Sequence, residues 1–318
     1  MRGVDLILLI LLIALLLVGS NVMLSNLGWF AQENIKYQDY VSNLTVDAKA
    51  AKVAQFYPNM RYAESVISYT IEDVCSLPKR QSIREALAII SNNTILRFEE
   101  KENGGEIKYL CSNTAPSAGE SNHFVAGEGG PTGIINTTLF SVITSGQVSL
   151  YRAEKCDKPQ VALHETLHAL GFDHVKDKED IMFPITECEQ KPNPLIYEYL
   201  NTLYGIRSVP DLGIEYVRAN QTGKYLNFYI TIENYGLKNS ENSSLIILAD
   251  EEQVKEFDLG AIKMGTKKFL NVQNMRLDRK ADTIRFLLRI TEDDLYTENN
   301  FAELYLNYNG NQNLDIPN

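Results

Sequence analysis

The segment "HETLHALGFDH" at 164–174 carries three of the chain's four histidines, and its spacing constrains the fold more than any other stretch. His164 and His168 stand four apart, so on a helix they share one face a single turn apart and their imidazoles can converge on one point. The surrounding "DKPQVALHETLHALGF" predicts that helix over about 158–170. Asp157 is the expected cap, Gln160 follows three later as in a capping box, Pro159 suits the first turn, and Gly171 stands where a C′ glycine ends the helix. A left-handed glycine there turns the chain back, and His174 can reach the same point. Three neutral imidazoles with a fourth position open fit a catalytic zinc rather than a closed structural one. Glu165 adjoins the first histidine and can act on a water molecule without being a ligand. HExxH alone is weak evidence; Gly171 and His174 are what make the pattern specific.

The flanking pattern reads strand, helix, strands, helix. In "SVISYTIEDVC" Ile67, Tyr69 and Ile71 alternate with polar residues, as on a half-buried strand. "SLPKRQSIREALAIISNN" follows with Ser76 as cap, Pro78 in the first turn and Ile83, Ala86, Leu87 and Ile90 on one helical stripe. "EIKYLC" at 106–111 and "GQVSLY" at 146–151 read as further strands, and "AGEGGPTGII" at 126–135 reads as a loop because of its glycines and proline. A last helix is expected at "NPLIYEYLNTLYG", capped by Asn193 and ended by Gly205. Beyond Pro210 the texture changes to short runs rich in Ile, Leu, Phe and Tyr, separated by Asn, Gly, Asp or Lys, which indicates an all-β sandwich.

The N-terminus differs in kind. Leu6–Val18 is uninterruptedly apolar and begins almost at the terminus, which marks 1–24 as a signal anchor or a cleaved signal peptide. The protein is therefore expected outside the cytoplasm, held at the membrane by this segment if it is kept and secreted if it is cut. Residues 25–55 read as a polar stalk. The even set Cys75, Cys111, Cys156 and Cys188 suits disulfides in that compartment. Three pairings are open, of which Cys75–Cys111 and Cys156–Cys188 close the shorter loops, and the second would staple the segment before the histidine cluster to the one after it. The net charge of −11, from 30 basic and 41 acidic residues, offers no basic footprint for nucleic acid.

His164-Glu165-x-x-His168-x-x-Gly171-x-x-His174 is similar to the signature of the metzincin metalloproteases. "EDIMFP" at 179–184 resembles the family's methionine turn, and its short distance from His174, with Pro184 two after Met182, resembles the matrixin branch. The resemblance implies an α+β metzincin-like catalytic domain over 56–208, a twisted mixed sheet with an active-site helix, followed by an all-β Ig-like sandwich over 209–318. It implies a zinc endopeptidase acting on protein or peptide substrates, with His164, His168 and His174 on one zinc ion, Glu165 as general base and Met182 beneath the metal. Phe183, Pro184 and Ile185 would line the substrate pocket. The departures count too: no PRCGxPD propeptide is present, only His123 remains for a second histidine site, a calcium requirement is unsupported, and Val175 follows the third histidine where matrixins usually have serine. "PDLGIEYV", "FYITIENYG" and "TENNFAELYL" resemble the CARDB modules of surface proteins, implying a spacer or a domain that binds a surface partner. A rival reading is an adhesion protein whose protease-like domain only binds.

Overall fold

The computed structural model describes residues 30–33, 53–116, 125–152 and 155–306. The apolar run Leu6–Val18 and His123 lie outside the described residues. Among those described, no helix is long and apolar enough to cross a membrane.

After a short strand β1 (Phe30–Glu33), the first layer of structure contains β2 (Met60–Tyr62), β3 (Val66–Ile71), α1 (Leu77–Asn93), β4 (Arg97–Glu100), β5 (Ile107–Cys111), β6 (Gly127–Asn136), β7 (Ser141–Leu150), α2 (Gln160–Ala169) and α3 (Pro194–Gly205). Five strands are parallel in the order β2-β7-β5-β3-β4, and β6 pairs antiparallel along the other side of β7. The alternation Ile67, Tyr69 and the stripe Ile83, Ala86, Leu87, Ile90 are buried together, which is how the sheet and α1 share one core. The glycine-rich 126–135 is not a loop: it forms most of β6. Two of its glycines, Gly127 and Gly129, persist in a strand because the backbone there runs hard against α2, where side chains have no room.

The second part holds β8 (Leu212–Thr222), β9 (Tyr225–Asn234), β10 (Ser243–Ala249), β11 (Glu252–Gly260), β12 (Lys267–Arg276), β13 (Thr283–Ile290) and β14 (Phe301–Tyr305). They form two antiparallel sheets, β1-β8-β9-β12 and β11-β10-β13-β14, around a core that includes Phe228, Ile230, Ile247 and Phe286. Within the segment read as a stalk, Phe30–Glu33 is thus a strand of the sandwich, paired with Tyr216–Ala219 of β8. The two cores also meet. Tyr235 and Leu237 belong to the first core although their loop joins β9 to β10, and Met264, Leu295 and Tyr296 pack against it.

Disulfides join Cys75 to Cys111 and Cys156 to Cys188. A further clamp is Arg61, which is 1% exposed and lies over the Tyr204 ring at 4.4 Å. Its guanidinium donates to the carbonyls of Leu203 and Ile206, at the end of α3, and to those of Tyr62 and Ala63 beside β2. It therefore satisfies the carbonyls that a helix end leaves without intrahelical donors. Arg61→Ala should lower unfolding free energy by about 3 kcal/mol or more, since buried acceptors lose their donors. Arg84→Ala, on the exposed Arg84–Glu100 pair, should cost under about 1 kcal/mol in the same urea titration.

Candidate active site

α2 begins without the expected cap. Its N-cap position is Pro159, no side chain caps it, and Gln160 turns away instead, donating from Nε2 to the carbonyls of Cys188 and Gln190 at 2.8 Å each. The helix start is thereby fastened to the loop that follows Met182. At the other end Gly171 adopts φ +98°, and a Cβ there would lie 2.6 Å from Met60 Cγ, so both conformation and space demand glycine. The chain reverses at this point and carries His174 back to the helix.

The three imidazoles meet through their Nε2 atoms: His164 to His168 is 3.0 Å, His168 to His174 is 3.1 Å, and His174 to His164 is 3.3 Å. His164 Nδ1 donates to the Ile181 carbonyl at 2.5 Å and His168 Nδ1 to that of Phe172 at 2.7 Å. With the proton on Nδ1, each of these two Nε2 atoms presents a lone pair to the centre of the group. Burial, then the neighbouring His168, holds His164 down at about 4, and burial also lowers His168 and His174. All three are therefore neutral at pH 7, the form that ligates metal. Zinc–nitrogen bonds of about 2.0 Å in tetrahedral array place ligand nitrogens about 3.3 Å apart, so the donor set fits zinc. Phe56 stacks on His168 with ring centroids 5.7 Å apart, and its N–H donates to the Gly171 carbonyl at 3.0 Å.

Met182 is buried in the core, and its backbone does the organising that its side chain suggested. Val175 N–H donates to the Met182 carbonyl at 3.0 Å, while Asp180 Oδ1 accepts from Met182 N–H at 2.8 Å. Ile181 and Met182 thus support His164 from one carbonyl and the chain just after His174 from the next. The role of Ile181 had no signal in the sequence, because a backbone carbonyl leaves no residue-type signature.

Glu165 is buried beside this group, facing β6. Burial, and secondarily Glu128, pushes its carboxyl up to about 8. A Cβ on Gly127 would lie 2.7 Å from Glu165 Cγ, and one on Gly129 only 2.1 Å from the Glu165 carbonyl oxygen. Glycine at these two alternate positions of β6 lets the strand pass directly over α2. A cleft of about 650 Å³ opens here, lined by the three histidines, Glu165, Val161, Gly127 to Gly129 and, from the loop after Met182, Pro184 and Ile185. Phe183 does not line it; Thr186 and both Cys156 and Cys188 do. The disulfide Cys156–Cys188 therefore frames the cleft.

Residues 59–198 match the model of the Matrixin family. The match spans every element from β2 to the first part of α3, so all the histidines of the cluster, Glu165 and Met182 fall within the matrixin segment. Among solved structures, the CARDB domain of a Pyrococcus furiosus protein in complex with di-metal ions is 15% identical, with 30% of this chain and 86% of that one covered and a TM-score of 0.26. High choriolytic enzyme 1, a hatching enzyme zinc-protease of the medaka Oryzias latipes, is 24% identical over 35% of this chain and 46% of its own, with a TM-score of 0.21. No curated protein matches the chain.

Two neighbouring glycines give a sharp test of the β6–α2 contact. Gly129→Ala should displace Glu165 and abolish any zinc-dependent activity while lowering Tm. Gly130→Ala, where a Cβ meets nothing within 4 Å, should leave both nearly unchanged.

Proposed function

We propose that the chain is an extracytoplasmic zinc endopeptidase, held at a membrane by residues 1–24 or released when that segment is cut. In this reading 25–55 link the segment to a matrixin-like catalytic domain over 56–208, and 209–318 form a sandwich that spaces or docks it. One observation carries the proposal: three imidazole lone-pair donors converge within 3.3 Å of one another, with a buried carboxyl group one residue from the first. His164, His168 and His174 would hold the zinc. When bound, zinc supplies a Lewis acid that polarises a carbonyl and makes water a nucleophile at neutral pH.

A cation held by the three histidines would favour the ionised carboxyl of Glu165, which would then take the proton from the attacking water and return it to the leaving nitrogen. Its carboxylate is held against β6, and it is not one of the converging ligands, so it stays free to exchange that proton. β6 is the outer strand beside β7, and its open edge offers main-chain donors and acceptors to an extended peptide. Main-chain pairing recognises peptide in general, and side-chain pockets then choose among sequences. Val161, Pro184 and Ile185 give the cleft an apolar lining, which favours an apolar residue after the scissile bond.

Residues 25–318 incubated with a denatured protein should cleave it, and a zinc chelator should stop the cleavage. Glu165→Ala should lower turnover by about 10²–10⁴-fold with zinc content unchanged. His174→Ala should lower zinc content and activity together. Retained cleavage in Glu165→Ala, or full zinc occupancy in His174→Ala, would remove those residues from their roles. Stoichiometric zinc without cleavage of any substrate would favour the adhesion reading.

A further inference from the structure

The described chain between α2 and α3 contains neither helix nor strand, yet it lines the cleft through Pro184, Ile185 and Thr186. A segment without a ladder of its own must pair its buried backbone groups in some other way. Two buried glutamines do so here. Gln190 is 3% exposed and sits inside the loop it belongs to. Its Nε2 donates to the carbonyls of Ile185 at 2.9 Å and Lys178 at 3.1 Å, and its Oε1 accepts from the Glu187 N–H at 2.9 Å. From the first turn of α2, Gln160 Nε2 donates to the carbonyls of Glu187, Cys188 and Gln190 at 3.2, 2.8 and 2.8 Å.

The amide nitrogen of Gln190 is used to capacity, two hydrogens on two carbonyls, and its oxygen meets the one N–H. Turned over, the group would set oxygen against two carbonyls and nitrogen against a donor, so the neighbours fix its orientation. A glutamate of the same size lacks the donors, and a methionine lacks donors and oxygen alike. The base of the loop is closed by other bonds. Ile181 N–H donates to the Lys191 carbonyl at 2.9 Å, Lys191 N–H to that of Glu179 at 3.1 Å, and Met182 N–H to Asp180 Oδ1 at 2.8 Å. The part that offers the Ile181 carbonyl to His164 is therefore held independently, while 184–188 take their shape from the two glutamines and the disulfide Cys156–Cys188.

We infer that Gln190 is a positioning residue that sets the substrate choice of the cleft, a reading that rests on the endopeptidase proposal. Gln190 itself does not line the cleft and acts through the residues that do. By drawing the Ile185 carbonyl into the loop, it holds that residue in place with its side chain 46% exposed at the cleft. An apolar wall distinguishes substrate side chains only as sharply as its own atoms are fixed. Loosening this wall flattens the choice and leaves the three histidines and Glu165 where they are.

The test compares the wild-type full chain with Gln190→Met and Gln190→Glu, all zinc-loaded, on peptides that differ only in the residue after the scissile bond, alongside amide hydrogen exchange of 183–188. In both variants the ratio of kcat/KM between the best and the worst peptide should fall by about tenfold, with zinc content unchanged. The amides of 183–188 should exchange about tenfold faster or more, and those of α1 at the wild-type rate. Glu189→Ala, at an exposed neighbour, should alter neither. Gln190→Glu keeps the size and the bond from Glu187 N–H, so it decides the matter if Gln190→Met does not fold. An unchanged peptide profile or unchanged exchange in a folded variant would overturn the inference. Lost zinc with an equal loss on every peptide would show support of the metal rather than of the wall, and would overturn it as well. A wild type that cleaves no peptide would sink the endopeptidase reading and the substrate choice with it, whereas a failure confined to Gln190 leaves the wild type cleaving with zinc bound.

Discussion

A left-handed turn at Gly171 is the constraint on which the site depends. A helix can bring two imidazoles to one face, but a third at helical spacing would point elsewhere, and only a reversal of the chain returns His174 to the same point. That reversal needs positive φ, and it needs the absence of a Cβ where Met60 packs. The turn is in turn held from outside the helix. Ala54 and Phe56 exchange backbone hydrogen bonds with Asp173 and Gly171, and Phe56 covers His168. The segment ahead of β2 is thus part of the support of the histidine cluster.

A second layer of carbonyls sets the electronic character of that cluster. The carbonyls of Ile181 and Phe172 accept hydrogen bonds from Nδ1–H of two imidazoles, and this fixes which nitrogen is left to donate to a metal. The loop that supplies Ile181 is tied to the start of α2 by Gln160 and by Cys156–Cys188. Helix, loop and disulfide form a closed frame around the cleft, so its far side is set by covalent and hydrogen-bonded links rather than by packing alone. On the near side the same precision comes from missing atoms, at Gly127 and Gly129.

The parts legible in the sequence were those where side-chain chemistry and period coincide. His164, His168, Gly171 and His174 specify both their spacing and their turn, and the apolar stripe of α1 and the alternation of β3 specify their buried faces. Three features were misread for physical reasons. The glycines of 126–135 carry a turn signature, yet Gly127 and Gly129 serve to let β6 approach α2. Asp157 and Gln160 have the letters of a capping box, but Gln160 finds stronger partners in three carbonyls across the cleft. Phe183 shares the apolar character of Pro184 and Ile185 but does not reach the cleft. Backbone carbonyl partners, such as Ile181, and long-range pairings, such as β1 with β8, are invisible to local pattern because any residue type can make them.

In the proposed site three imidazoles, and no thiolate, hold zinc through Nε2. X-ray absorption at the zinc edge of the purified chain tests this directly. A first shell of nitrogen and oxygen at about 2.0–2.1 Å with the outer-shell pattern of three imidazole rings is expected. Sulfur at about 2.3 Å, or zinc with fewer than three imidazoles, would contradict it.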